Sequence, residues 1–424
     1  MKFTKLRWIM LIMFISGITL NYVSRNALGV LAPTLMKDLH ITTQQYSWIV
    51  AAFQLAYTVF QPICGWVIDH IGLKIGFMLF AMAWSVLCML HPLAASWQGL
   101  AGLRFFMGAT EAAAAPANVK FLTEWFPANE RAVAAGWSGV GFSFGAMLAP
   151  PLVIALQLQF GLQAAFIATG AMGLVWVLIW KIFYDKPAKS KYVSQEEREY
   201  ILGKPLVWHK QILKRSFWGD WKSIVGIKKF YGIALPAFLA EPAWQTFSFF
   251  VPLYLATERG MNLKEIALFA WLPFLAADFG SAASGYVAKW YKKHFNFNRN
   301  NAAIWSSVSG ACLMLSLTII PFVESSYTII ALISVGGFGH QLISAVLSVL
   351  VMENFDGEIV ASVNGMRGFS AWTSGFLFSL IIGAVVPYWG YNPIFMAMGF
   401  FDLIGAALML WLIYDRTNKM LATN

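Results

Sequence analysis

Ionisable side chains are rare inside the long apolar runs of this sequence, and that rarity makes each one a candidate for chemistry. These side chains are Arg25, Arg104, Glu111, Glu241, Asp278, His340 and Asp402. A charged group surrounded by hydrocarbon is costly, so it is retained mainly where it binds an ion, relays a proton or pairs with another charge. The residue types favour anion binding and proton exchange, and no cluster typical of a catalytic or metal centre is present.

Arg25 is the strongest candidate for anion binding. Its guanidinium is a permanent cation, and its planar fork of donors fits a carboxylate. Tyr22 lies one helical turn earlier and is expected on the same helix face, while no acid adjoins Arg25 in the sequence. We predict that Arg25 binds the carboxylate of a ligand. Pairing with an acid on another helix is the open alternative.

Arg104 and Glu111 are seven residues apart, about two turns along one face of a helix. They can form a static salt bridge, or Glu111 can exchange a proton. Four alanines and Pro116 follow Glu111. Apolar surroundings and a nearby arginine favour opposite protonation states of a carboxyl group. We predict that Glu111 is the proton-coupling residue and that Arg104 belongs to the binding site.

Other polar and aromatic residues are predicted to contact hydroxyl groups or the ring of the ligand. They are Tyr57 and Gln61, spaced by one turn; Trp244, after the Glu241-Pro242 kink; and His340 and Gln341, after three glycines. Trp244 can instead simply pack against its neighbours. His340 can instead be a neutral, buried histidine. Asp278 and Asp402 are interpreted as structural, through hydrogen bonds between helices.

The elements that hold these residues are predicted to be membrane-spanning helices. Of the 424 residues, 59% are hydrophobic and only 12% are charged, about half the charged fraction of a soluble domain. The apolar runs are long and do not alternate with a period of two, which excludes a barrel. Twelve helices are predicted, at residues 8–35, 47–68, 75–95, 98–126, 130–158, 162–184, 229–256, 264–290, 300–321, 326–353, 358–386 and 391–414.

The charged loops give the predicted orientation. Odd-numbered loops contain only three basic residues, Lys37, Arg259 and Lys264, whereas even-numbered loops and termini hold Lys2, Lys5, Arg7, Lys74, Arg131, Lys289, Lys292, Lys293, Arg299, Arg416 and Lys419. The positive-inside rule places both termini in the cytoplasm. The formal charge of +10 is therefore interpreted as facing anionic lipid, with no nucleic-acid partner.

A charged segment at residues 185–228 divides the chain into two groups of six helices. Its basic residues include Lys186, Lys189, Lys191, Lys204, Lys210, Lys214, Arg215 and Lys222. We interpret it as a cytoplasmic linker, solvated and containing a short amphipathic helix. The predicted domains are an N-terminal bundle at 1–184 and a C-terminal bundle at 229–424. Two such pseudo-symmetric bundles are the layout of the major facilitator superfamily.

Residues 65–74 (GWVIDHIGLK) resemble the signature of that superfamily between its second and third helices. Gly65 allows close helix approach, Asp69 can accept hydrogen bonds at a helix N-terminus, Gly72 allows a tight turn and Lys74 adds a cytoplasmic charge. The resemblance implies that these four residues form a conformational latch. His70 stands where the signature usually has arginine.

The anion:cation symporter branch of the superfamily, especially its bacterial hexuronate carriers, resembles this chain over nearly its whole length. The matching segments are 22–33 (YVSRNALGVLAP), 104–116 (RFFMGATEAAAAP), 124–127 (EWFP), 239–244 (LAEPAW), 262–271 (NLKEIALFAW) and 336–341 (GGFGHQ). The resemblance implies that Arg25 grips a substrate carboxylate, that Tyr57 lines the pocket and that Glu111 couples protons. The chain departs from the pattern at Ser24, where several sugar-acid relatives have aspartate, and at Ala237, where close hexuronate carriers have arginine.

The expected function is proton-coupled import of a sugar-acid anion across the bacterial inner membrane, hexuronate first, by rocking of the two halves. Another organic anion such as an aldonate or aldarate is an alternative. An exchanger or uniporter without net proton movement is another, motivated by Ser24. A membrane enzyme and a nutrient sensor are disfavoured. The expected partners are a small organic anion, protons and membrane lipid, with a monomeric chain and no cofactor or metal.

Overall fold

A computed structural model describes residues 5–41, 43–202, 216–251, 254–255, 258–261, 265, 269 and 271–415. Within these ranges the regular secondary structure is helical, which confirms the predicted all-α class. Several predicted features lie outside the described residues: the basic residues Lys2, Lys204, Lys210, Lys214, Arg215, Lys264, Arg416 and Lys419, and parts of the helices expected at 229–256 and 264–290.

The α-helices follow the predicted order closely. They are α1 (Leu6–Asp38), α2 (Thr43–Ile71), α3 (Leu73–Leu90), α4 (Trp97–Glu111), α5 (Ala114–Trp125), α6 (Arg131–Phe183), α7 (Gln195–Leu202), α8 (Phe217–Val225), α9 (Lys228–Gln245), α10 (Leu272–Phe295), α11 (Arg299–Met314), α12 (Ser326–Asn354), α13 (Val360–Trp389) and α14 (Asn392–Leu412). Short 3₁₀ segments extend α3 and α11, at His91–Leu93 and Leu315–Phe322. A π-helical turn at Thr246–Phe250 follows α9.

The helix predicted at 98–126 is wrong as a single helix, because it is divided into α4 and α5 at Ala112 and Ala113. Pro116 explains the position of the break. Proline has no backbone N–H and is favoured in the first turn of a helix, where that N–H would be unpaired. The helix that contains Pro116 therefore restarts at Ala114, and Glu111 becomes the last residue of α4.

The helices predicted at 130–158 and 162–184 are observed as the two parts of α6, which breaks at Gly161. Its φ of 87° lies in the left-handed region, where a residue without Cβ carries no steric penalty. The kink expected near Glu241-Pro242 stays a prediction. Pro236 and Pro242 lie inside α9, and the Thr246 hydroxyl donates to the Pro242 carbonyl at 2.7 Å as the π-helical turn begins.

Eight helices of the described part are long and apolar enough to cross a membrane, or nine if the bent pair Phe217–Val225 and Lys228–Ser248 forms one span. Large apolar side chains on these helices are exposed, including Leu158 at 81%, Phe322 at 79% and Trp411 at 66%. Such an apolar surface is stable against lipid rather than water. The chain is a multi-pass membrane protein, and the count of twelve spans stays a prediction.

The chain forms two compact units. The first comprises Met1–Pro127, Val140–Phe217 and Asp356–Met366, and the second comprises Ala128–Gly139, Trp218–Phe355 and Arg367–Asn424. The predicted domain limits at 184 and 229 stay a prediction.

Aromatic side chains fill the core of the first unit. Phe14 on α1 stacks on Phe121 of α5, with ring centroids 4.7 Å apart, and the Trp176 indole N–H donates to the Met13 carbonyl at 2.9 Å. Gly108 allows α4 to approach the backbone of Phe53 on α2. These contacts fix α1, α2 and α4, which carry the charged residues of the first unit, against their neighbours.

The predicted linker is partly packed rather than wholly solvated. Glu197 on α7 is 3% exposed and accepts hydrogen bonds from the backbone N–H groups of Leu6 and Arg7, at 2.9 and 3.2 Å. The Arg7 guanidinium adds an ion pair with Glu197 at 2.8 Å. A carboxylate at a helix N-terminus satisfies unpaired donors and the helix dipole. This linker helix therefore caps the start of α1.

Glycines set the close contacts in the second unit. Gly280 of α10 lies against the Phe338 carbonyl of α12, and Gly337 of α12 lies against the Pro273 carbonyl of α10. Gly310 of α11 and Gly339 of α12 face each other in the same way. A side chain at any of these positions would collide with backbone, so the glycines hold α12 close to its neighbours.

Candidate functional site

Arg25 and Glu111 form a buried ion pair in the first unit. The Nε atom of Arg25 donates to Oε2 of Glu111 at 2.7 Å, and the two side chains are 12% and 0% exposed. The break after α4 leaves Glu111 at a helix end that faces α1. No acid is next to Arg25 in the sequence, but the fold brings Glu111 into contact with it. The alternative, an acid on another helix, is the observed arrangement.

Aromatic rings surround the Arg25 guanidinium. Its central carbon lies 4.3 Å from the ring centroid of Tyr22, 4.7 Å from that of Tyr57 and 5.3 Å from that of Phe53. Cations are attracted to the faces of aromatic rings. The predicted grouping of Tyr22, Tyr57 and Arg25 is thus present, and Phe53 is a member that the sequence reasoning missed.

Arg104 is close to this pair but does not bond Glu111. Its Nη1 atom donates to the backbone carbonyl of Arg25 at 3.2 Å, and its guanidinium carbon lies 4.5 Å from the Phe53 ring centroid. The static Arg104–Glu111 salt bridge, one of the two alternatives left open above, is absent, and Glu111 pairs with Arg25 instead. The site contains two arginines and one carboxyl group, so an added anion would meet net positive charge.

Several buried polar atoms of the first unit have no hydrogen-bond partner among the described residues. They are Nη2 of Arg25, Oε1 of Glu111, Nε of Arg104, Oε1 of Gln61, Oγ of Ser24 and both amide atoms of Asn21. Unpaired buried polar groups are rare and costly in native proteins. The unpaired atoms of Arg25, Glu111 and Arg104 belong to the charged group described above. The sequence reasoning missed Asn21, although it is a polar residue within an apolar run.

In the second unit, Trp244 and His340 lie together. Their ring centroids are 5.8 Å apart and the rings are nearly parallel, at 15°. The neighbouring Gln341 is half-buried. Asp402 is predicted to make hydrogen bonds between helices. For its Oδ2 atom this prediction is wrong. That atom has no partner among the described residues and lies 4.0 Å from Nδ1 of His340.

A second polar group in this unit lies on α9 and α13. The Gln245 amide donates to Glu241 at 2.9 Å, and Arg367 interacts electrostatically with Glu241. The Nε atom of Arg367 has no hydrogen-bond partner in the described part of the chain. Arg367 falls inside the helix predicted at 358–386, so the rarity of charge in apolar runs is a signal that could have identified it.

The model of the Major Facilitator Superfamily matches residues 14–379 of this chain. The chain belongs to that superfamily. It is therefore a transporter and not an enzyme. The chain is similar to the hexuronate transporter of Escherichia coli K12, with 43% identity over 413 residues that cover 97% of this chain and 95% of that protein. It is also similar to the galacturonate transporter of Dickeya chrysanthemi, with 45% identity over 332 residues that cover 78% of this chain and 95% of that protein.

Among solved structures, the superfamily transporter FucP has the same fold as this chain. The TM-score is 0.73 at 13% sequence identity, and the match covers 96% of this transporter and all of FucP. Identity this low supports the fold alone.

The predicted latch of the transporter is built around a buried carboxylate. Oδ2 of Asp69 accepts hydrogen bonds from the N–H and hydroxyl of Ser362 in the first turn of α13, at 2.7 and 2.8 Å. Lys120 donates to Oδ1 of Asp69 at 2.8 Å and to the Gly357 carbonyl at 2.5 Å. The expected bonding of Asp69 to a helix N-terminus is present. Lys120 is a further partner that the sequence reasoning missed, although it lies within a predicted helix.

The other latch residues have the expected local roles. Gly65 lies so close to the Ala361 carbonyl that a Cβ would collide with it. Gly72 has a φ of 84° at the turn between α2 and α3. Lys74 pairs with Asp185 at 2.8 Å, and each side chain is at least about a third exposed. Their action as a latch during transport stays a prediction.

Replacing Lys120 by methionine is expected to destabilise the transporter, because Asp69 would remain buried without its cation. Breaking a buried pair from one side costs about 3–5 kcal/mol. The melting temperature of the detergent-purified variant measures this loss. The double variant Lys120→Met with Asp69→Asn is the control and should recover part of it. Losses that simply add would contradict a direct interaction.

Proposed function

We propose that this transporter is a proton-coupled symporter that imports a sugar-acid anion, with hexuronates such as galacturonate or glucuronate as the first candidates. The observation that carries the proposal is the buried Arg25–Glu111 pair, with its ring of Tyr22, Tyr57 and Phe53. Two relatives that are more than 40% identical support the substrate class, because they are a hexuronate and a galacturonate transporter.

In the proposed binding step, the substrate carboxylate takes the place of Glu111 on Arg25. The guanidinium has an unpaired Nη2 atom beside the Nε atom that bonds Glu111, so it can present two donors to a carboxylate. Loss of its cation leaves Glu111 buried, where an isolated negative charge is costly. A proton bound to Glu111 removes this charge. Substrate and proton therefore bind together more favourably than either does alone.

The ligand's hydroxyl groups have separate proposed partners. In the first unit the rings of Tyr22 and Tyr57 lie against Arg25, and Oε1 of Gln61 has no hydrogen-bond partner among the described residues. Arg104 adds positive charge. Trp244, His340 and Gln341 stay predicted substrate contacts. Sugar hydroxyls both donate and accept hydrogen bonds, which suits this mixture of phenol, amide and imidazole groups.

The proposed transport cycle follows the architecture expected from the sequence. Two six-helix halves at 1–184 and 229–424 are proposed to expose the site alternately to each side of the bacterial inner membrane. Both termini and the linker are proposed to face the cytoplasm, and the chain is proposed to act as a monomer.

A second candidate is anion exchange without net proton movement. It is favoured by Ser24, which places a hydroxyl rather than a second acid beside Arg25. The two candidates differ in one measurement. Accumulation that collapses with a protonophore supports symport, and accumulation that ignores an imposed pH gradient supports exchange.

Galacturonate and glucuronate are expected to raise the melting temperature of the purified transporter, because a ligand that binds only the folded state stabilises it. At one hundred times Kd the gain is about 2.7 kcal/mol. Thermal shift measurements should compare these hexuronates with galactonate, galactarate and neutral galactose. Galactose lacks the carboxylate and is the control. Equal stabilisation by galactose would contradict recognition through Arg25.

A further inference from the structure

His340 and Asp402 are two buried titratable groups of the second unit that face each other without a bond. Nδ1 of His340 and Oδ2 of Asp402 are 4.0 Å apart, and the two side chains are 3% and 2% exposed. Neither atom has a hydrogen-bond partner among the described residues. Each group is near the middle of its helix, α12 and α14 respectively.

At this separation no short charge-assisted hydrogen bond joins the two groups. An imidazolium and a carboxylate attract each other and close to about 2.7–2.9 Å. At 4.0 Å that contact is absent. A carboxylate left ionised here would be a buried charge without a cation, which costs several kcal/mol. A carboxylic acid beside a neutral imidazole leaves no charge buried without a partner.

No charged group of the described residues makes a hydrogen bond to the two facing atoms. The elements packed against α12 and α14 carry other titratable groups. Within the helices they are the carboxyl groups of Glu241 and Asp278, the thiol of Cys312 and the phenols of Tyr231, Tyr286 and Tyr291; nearer the helix ends they are Lys228, Lys229, Lys289, Lys292, Lys293, His294 and Arg299. Within the described part of the chain, neither Nδ1 of His340 nor Oδ2 of Asp402 makes a hydrogen bond with any of them. Arg367, a half-buried cation of α13, interacts with Glu241.

The surroundings hold the imidazole in reach of the acid. The Trp244 ring stacks on one face of His340, and the adjacent Gly339 lies against the Gly310 carbonyl of α11. Gly399 lets α14 approach Thr318 one turn before Asp402. A shift of about 1 Å would bring Nδ1 within hydrogen-bond distance of Oδ2. The acid O–H bond of Asp402 would then break as an N–H bond forms on His340. One proton moves from Asp402 to His340, and the net charge of the pair does not change.

We propose that His340 and Asp402 form a second proton-binding site, in which Asp402 carries the proton as a carboxylic acid and His340 is its exchange partner. This site is distinct from Glu111, which belongs to the first unit. Its role in transport rests on the proposed symport, whereas the protonation of Asp402 does not.

Infrared spectroscopy of the purified protein tests the protonation of Asp402 without any need for transport. The wild type is expected to show a carbonyl band of a buried carboxylic acid at neutral pH that Asp402→Asn loses. Asparagine has nearly the shape of a neutral aspartic acid, so this variant should fold. Asp38→Asn, the same change at an exposed position, is the control and should leave the band unchanged. His340→Gln should retain the band, because the acid remains.

An unchanged band in Asp402→Asn would overturn the proposal. In proteoliposomes, the number of protons moved per substrate should fall by one in Asp402→Asn. An unaltered ratio would overturn the role in transport. A wild type that moves substrate without protons would instead overturn the proposed symport and this role together, and the infrared result would still decide the state of Asp402.

Discussion

Replacing Arg25 by alanine is expected to abolish specific binding and uptake of the sugar-acid anion. The substrate carboxylate would lose two charge-assisted hydrogen bonds, each worth about 1.5–3 kcal/mol. Since about 1.4 kcal/mol is a factor of ten, affinity should fall roughly 100-fold or more. Thermal shift and radiolabelled uptake measure the two effects. Arg25→Lys, which keeps the charge but not the planar fork, should lie between the wild type and alanine.

The single change also leaves Glu111 buried without its partner, so a folding control is required. The double variant Arg25→Ala with Glu111→Gln removes both members of the ion pair and should be more stable than Arg25→Ala alone. If this double variant has a wild-type melting temperature but no binding, the loss belongs to the guanidinium. Retained affinity in a folded Arg25→Ala protein would rule out the proposed carboxylate grip.

Replacing Glu111 by glutamine is expected to separate proton coupling from substrate movement. Glutamine mimics the protonated acid, so the variant should bind substrate while it cannot release a proton. Accumulation driven by a pH gradient should be lost, whereas exchange of labelled for unlabelled substrate across proteoliposomes should persist. The wild type performs both in the same assay.

Glu196→Gln provides the matched control for Glu111→Gln, because it makes the same change on the exposed face of α7. It should retain both accumulation and exchange. Normal accumulation in Glu111→Gln would show that another group couples the protons. Loss of both activities would mean instead that Glu111 is needed for binding or conformational change.

Much of this transporter is determined by local features of the sequence. The lengths of the apolar runs predict membrane helices, because a helix must satisfy its own backbone in lipid. Pro116 explains the break after α4, and Gly161 explains the break in α6. The rarity of charge inside the spans is enough to single out Arg25, Glu111, His340 and Asp402. The same criterion applies to Lys120 and Arg367, which also lie within predicted helices.

Only the tertiary structure decided which of these groups meet. Spacing along one helix suggested a pair of Arg104 and Glu111, but Glu111 bonds Arg25, which is 86 residues away. Asp69 likewise bonds Ser362, 293 residues further along the chain. Such contacts depend on how each helix is rotated about its axis and how closely its neighbours approach, at positions such as Gly108 and Gly337. A sequence states which charges must be buried, whereas helix packing decides the partner that stabilises each of them.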